Sequence, residues 1–131
     1  MNIFDRILGD IDASANLAVK NLEVSKKFYE DTLGLTHIDT EEEDLIAFKS
    51  GNTNIYVYKS QNAGTNKATA ITWIVGEDLE DIVMKLKAKG VTFEHYDMPD
   101  MTRKNDVHIF GDMKVAWFKD PDGNILNITS R

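Results

Sequence analysis

The sequence predicts an α+β fold: two βαβββ repeats forming a concave mixed sheet around a central cavity, with the helices outside. Three observations lead there. Gly34-Leu35-Thr36 recurs as Gly90-Val91-Thr92, and at the same offset Leu17-Ala18-Val19 matches Trp73-Ile74-Val75 in pattern, which marks an internal repeat. Each copy reads as a strand, an amphipathic helix closed by glycine, and then further strands. A single copy would also leave one sheet face bare, whereas two copies can bring their bare faces together and enclose a pocket.

Taken in order, residues 1–12 mix polar and apolar side chains and suit a short strand or a frayed arm. From Ala13 to Lys20 the alternation sets Leu17 and Val19 on one face and Ser14, Asn16 and Ala18 on the other. Asn21 is placed to cap a helix, Glu23 suits its first turn, and Gly34 stands where a helix-ending glycine belongs. Leu35–Asp39 and Leu45–Lys49 are candidate strands either side of the charged loop 40–44, whose run of acids reads as a solvated turn. Ser50-Gly51-Asn52-Thr53 turns the chain into Asn54–Lys59, with Ile55 and Val57 on one face and Tyr56 and Tyr58 on the other.

The polar stretch Ser60–Lys67 links the copies. Ala68–Val75 restarts the pattern as a strand, Asp78 is the expected cap of a second helix carrying Leu79, Ile82, Val83 and Leu86, and Gly90 ends it. Val91–Tyr96 reads as a strand, and a short segment follows around Val107–Phe110. The last hairpin is Lys114–Lys119, the turn Asp120-Pro121-Asp122-Gly123-Asn124, and Ile125–Ile128. The whole is expected to be one domain over 1–131, with repeat one at about 13–60 and repeat two at about 68–130.

Composition narrows the function. With 42% hydrophobic and 28% charged residues, the chain of 131 residues can bury one sizeable core. It has no cysteine, which removes disulfides, thiolate nucleophiles and thiolate metal sites. The first residues lack the pattern of a secretory signal and no apolar run approaches the roughly 20 residues of a membrane helix, so a cytoplasmic protein is expected. A net charge of −7 argues against nucleic acid as partner.

Asn21-Leu22-Glu23-Val24-Ser25, with Phe28-Tyr29 and Leu33-Gly34-Leu35, paired with Asp120-Pro121-Asp122-Gly123-Asn124, resembles the vicinal oxygen chelate superfamily over roughly residues 14–130. That group includes glyoxalase I, bleomycin-resistance proteins, extradiol dioxygenases and fosfomycin-resistance enzymes. The resemblance implies a pocket between the repeats and a homodimer, in which half-pockets are sometimes shared. It also implies a divalent metal on inward strand positions, which here fall on Ser14, Tyr56, Ile71 and Asn127. Neutral hydroxyl and amide groups and an isoleucine are poor replacements for imidazole or carboxylate, so no metal and no cofactor is expected.

The inward set that lines the expected pocket is Asn16, Tyr56, Tyr58, Ile71, Trp73 and Asn127, with Trp117 or Phe118 from the hairpin and His108 near the rim. Aromatic walls with a few amide and hydroxyl groups suit an uncharged or weakly cationic organic molecule. The expected function is metal-independent binding of such a ligand, in the manner of bleomycin-resistance sequestration, with no catalytic residue assigned. Two alternatives stand beside it: a lyase, isomerase or dioxygenase of the same superfamily with a displaced or absent metal, and a non-catalytic interaction protein whose cavity its own side chains fill.

Overall fold

The computed structural model describes residues 6–131. In the first repeat β1 (Ala15–Val19) leads into α1 (Leu22–Lys27), and β2 (Thr36–Ile38), β3 (Leu45–Ser50) and β4 (Thr53–Lys59) follow. The second has β5 (Thr69–Ile74), α2 (Leu79–Ala88), β6 (Phe93–Glu94), β7 (Thr102–Lys104), β8 (Val107–Phe110), β9 (Met113–Lys119) and β10 (Ile125–Thr129). Among the described residues no helix is long and apolar enough to cross a membrane.

Local chemistry accounts for the helix ends. Asn21 Oδ1 accepts from the backbone N–H groups of Glu23 and Val24 at 3.0 and 3.1 Å, satisfying donors that a first helical turn leaves open. The segment then widens into a π-turn over Phe28–Thr32, and Gly34 reverses the chain at φ +81°. α2 starts differently from expectation. Asp78 makes no side-chain cap bond, because a 3₁₀ turn over Gly76–Asp78 already feeds the chain into the helix.

The strands form two sheets, ordered β1-β4-β3-β2 and β5-β10-β9-β8-β7, with β6 also paired to β9. β1 lies parallel to β4, and β5 parallel to β10. The repeats therefore share one topology in which β6 takes the place of β2, and the β7–β8 hairpin is an addition. Its first arm, Thr102–Lys104, is exposed and polar and carries no alternation to betray it.

Register decides which faces are buried. Leu17, Val57 and Ile46 align across the first sheet, as do Ile55 and Phe48. On the second sheet Ile71, Leu126, Phe118 and Phe93 share one face with Trp73, Ile128 and Ala116. These two faces, together with Tyr29 and the α2 residues Leu79, Val83 and Leu86, build a single core. The α+β class and the doubled βαβββ order are as the sequence implies. The layering sharpens that picture: within one chain the two helix-bearing faces meet, because their Leu, Ile, Val and Phe side chains need the larger apolar cover. Of the residues assigned to a cavity, Asn16, Tyr56, Tyr58, Trp117 and Asn127 lie on the far side of each sheet from this core, whereas Ile71 and Trp73 face it.

Candidate ligand-binding face

The outer face of the second sheet is built in rows. Thr129 on β10, Val115 on β9 and His108 on β8 stand opposite one another. The neighbouring row holds Thr72 on β5, Asn127 on β10, Trp117 on β9 and Glu94 on β6. The two-residue period of a strand puts both rows on the same face.

Aromatic side chains close over one end of it. The Tyr96 backbone N–H donates to His108 Nε2 at 2.9 Å. The Tyr96 and His108 rings meet the Trp117 indole edge to face, with centroids 5.3 and 4.8 Å away. Trp117 Nε1–H donates to Thr69 Oγ1 at 3.1 Å, which lays the indole across β10 toward β5. Glu94, beside Trp117, pairs with Lys119 at 3.2 Å.

Because Nε2 of His108 accepts, the proton of the neutral imidazole belongs on Nδ1. That atom is buried and has no hydrogen-bond partner. Burial is the main cause that pushes the His108 pKa below the ordinary histidine range; the Val115 carbonyl, outside hydrogen-bonding geometry, acts in the other direction. Asn127 Oδ1 and Thr129 Oγ1, on residues only 7% exposed, are equally without partners. Buried polar atoms are nearly always paired. Three on one sheet face thus form a set of hydrogen-bonding groups that the chain itself does not use.

The structure distributes the expected site residues over three places. His108, Trp117 and Asn127 come together on this face. Asn16 and Tyr56 are register partners on the outer face of the first sheet, and Tyr58 stands beside them, 38% exposed. Trp73 is on neither outer face. It pairs with Ile128 on the core side, and its indole N–H donates to Ser50 Oγ at 2.8 Å, in a cleft between the repeats that Leu33, Leu35 and Ile82 also line. Ile71 shares the core side of β5, opposite Leu126.

The physical reason is the period of two, by which a slip of one residue exchanges the faces. Thr72, not Ile71, is the neighbour of Asn127, and the register between β5 and β10 also shifts at Ile125/Leu126. Thr129 was within reach of the sequence, since it lies two residues beyond Asn127. Tyr96 was not, because the strand expected over Val91–Tyr96 spans only Phe93–Glu94, and the loop that follows sets where Tyr96 meets Trp117.

The remaining histidines have other partners. His95 Nε2 is 2.8 Å from Asp106 Oδ1, and Lys87 Nζ is 2.7 Å from Asp106 Oδ2. These hydrogen bonds, that of Lys87 first, hold the Asp106 carboxyl below its usual range and tie the β7–β8 hairpin to α2. His37 lies 3.8 Å from Asp39 at the end of β2.

A family model described as the Glyoxalase/Bleomycin resistance protein/Dioxygenase superfamily matches residues 10–128. The chain belongs to that superfamily. Its fold is shared with a hypothetical protein from S. aureus, at 22% identity and a TM-score of 0.70, covering 99% of this chain and 100% of that one. It is similar to a lactoylglutathione lyase from Agrobacterium tumefaciens at 16% identity, TM-score 0.67, with 92% of each chain covered. A fosfomycin resistance protein, FosX, from Listeria monocytogenes is similar at 16% identity and TM-score 0.66, over 92% of this chain and 90% of that one. No curated protein matches the sequence.

The superfamily implies a divalent metal. The positions that correspond to the expected chelating set carry Ser14, Tyr56, Thr72 and Asn127, which offer hydroxyl and amide oxygens. Glu94, on the same face as Asn127, is paired with Lys119, and no group of three or more His, Asp or Glu side chains able to hold a metal occurs among the described residues. This donor set does not fit a catalytic divalent metal.

Proposed function

We propose that this protein binds a small, uncharged organic molecule on the outer face of the second sheet, without a metal, and holds it rather than transforms it. The observation that carries the reading is the group of three unpartnered buried atoms, His108 Nδ1, Asn127 Oδ1 and Thr129 Oγ1, beside the Trp117 indole. His108 Nδ1–H can donate, Asn127 Oδ1 can accept and the Thr129 hydroxyl can do either. A planar ligand bearing both an acceptor and a donor would meet these groups and lie against Trp117 and Tyr96. All of the groups are neutral, which suits recognition of a neutral molecule.

The protein acts as a homodimer in this reading. Ile74, on the same outer face, is 71% exposed in the single chain. A second copy that laid its first sheet over this face would cover Ile74 and bring Asn16, Tyr56 and Tyr58 opposite His108, Trp117 and Asn127. The expectation is a dimer in native mass spectrometry; a monomer at all concentrations would refute this part.

The ligand reading is tested by a thermal-shift screen of neutral aromatic and heteroaromatic compounds with and without EDTA, since binding to the native state raises stability. A hit that EDTA leaves unchanged and that Asn127→Leu removes is the expected result. Stoichiometric bound metal, with a turnover that EDTA abolishes, would overturn it.

A further inference from the structure

Two surface features lie away from this face. The first is a groove of ≈ 500 Å³ between α2 and the β7–β8 hairpin. Its floor is apolar, made by Val83, Met84, Val107 and Ile109, and Met84 is 69% exposed. Its rim carries three lysines. Lys87 is held by Asp106 and Lys114 by Glu80, while Lys104 has no ion-pair partner among the described residues.

The second feature is the N-terminal arm. Ile7, Leu8 and Ile11 are 78%, 72% and 64% exposed. Together with Ile3 and Phe4 they recur at the spacing of one helix face, and the intervening Asp5, Arg6, Asp10 and Asp12 make the other side acidic. Arg6 and Asp10 pair at 3.1 Å across a turn. Ile7 takes φ +54°, an unfavourable conformation for a β-branched residue, and its exposed side chain gains no packing in return.

We propose that the arm of one copy of this chain docks as a short amphipathic helix in the α2/β7–β8 groove of a second copy. The two surfaces are complementary. Three exposed aliphatic side chains match an apolar floor, and an acidic face matches a lysine rim that retains an unpaired cation. The groove volume is within the roughly 300–1,000 Å³ of sites that enclose a compact ligand. The recognition is that of a helix in a groove, with anchors at i, i+3, i+4 and i+7. None of the arm's described residues lines the groove of its own chain and its aliphatic side chains stay exposed, so the occupant proposed is the arm of a second copy.

The test places a benzophenone side chain at Leu8 of the full chain, mixes unlabelled with nitrogen-15-labelled protein, and irradiates. Cross-links from the arm to peptides within residues 80–114, including pairs of mixed isotope, are expected. Raising the salt concentration lowers their yield. Either Met84→Glu or Lys104→Glu, both at surface positions, cuts the mixed-isotope yield about tenfold, with the circular dichroism spectrum unchanged. Cross-links confined to one chain, cross-links scattered over the surface, or yields that neither variant changes would overturn the proposal.

Discussion

The Tyr29 hydroxyl donates to Asp120 Oδ2 at 2.7 Å, joining the helical segment of the first repeat to the last hairpin turn of the second. Both residues are buried. Asp120 also accepts from the backbone N–H groups of Asp122 and Asn124 and from the Asn124 side-chain amide, and that amide donates in turn to the Ala18 carbonyl of β1. The two stretches that carry the family resemblance are thus the two ends of one buried network.

Removal of the hydroxyl in Tyr29→Phe leaves the Asp120 carboxylate short of a donor, at an expected cost of about 1–3 kcal/mol in urea unfolding. Burial first, then the charge of Asp120, raises the Tyr29 pKa far above the ordinary tyrosine range. The folded value lies above the unfolded one of about 10, so the stability from this group is present below that pH and lost as pH rises beyond it. The wild type should therefore lose stability above about pH 10 more steeply than Tyr29→Phe. Equal slopes would show that the network does not control the alkaline limb.

Gly64 meets the same turn from the linker. At φ +72°, a Cβ there would stand 2.0 Å from the Asp122 carbonyl oxygen. Gly64→Ala is expected to cost more than about 2 kcal/mol, since backbone must move. Gly34→Ala is the control. It also has positive φ but nothing within 4 Å, so only the roughly 1–2 kcal/mol of a left-handed conformation is expected. Chemical denaturation of the two variants tests the ranking.

His108 makes the acid limb sensitive in a defined window. Its folded pKa is depressed, so the unfolded chain takes the proton first and stability falls as pH drops below the ordinary histidine value of about 6.5. Asp106, whose folded pKa is also depressed, adds its loss only as pH falls below about 4, the ordinary aspartate value. His108→Gln should flatten the first decline and leave the second. Unfolding free energies measured across this range would detect a single, unchanged decline if the assignment were wrong.

The two tryptophans separate ligand binding from stability. Trp117→Ala should abolish a ligand-induced thermal shift. Trp73→Phe breaks the bond to Ser50 and thins the core side, so it should lower the melting temperature while preserving the shift. Loss of the shift in Trp73→Phe alone would move the ligand to the cleft between the repeats.

Most secondary structure could be read from local chemistry. The Asn21 cap, the glycines at 34, 51 and 123 with positive φ, and the alternation of Ile55 and Val57 against Tyr56 and Tyr58 are local facts of the chain. β7 was not legible, since three exposed polar residues become a strand only by pairing with β8. Asp78 misled because Asp also suits a 3₁₀ turn. Of the residues expected to share a site, His108, Trp117 and Asn127 do share a face, whereas Ile71 and Trp73 lie on the core side.

By itself, then, the sequence determined the doubled βαβββ order and most of the helix and turn boundaries. Those depend on residue identity and short-range period. Only the tertiary structure decided that the helix-bearing faces of the two sheets meet, that Trp73 belongs to the core side, and that Tyr29 and Asp120 bond across the chain. A strand's side chains alternate with a period of two, so face membership turns on a single step of register, and register is set by pairing between distant strands.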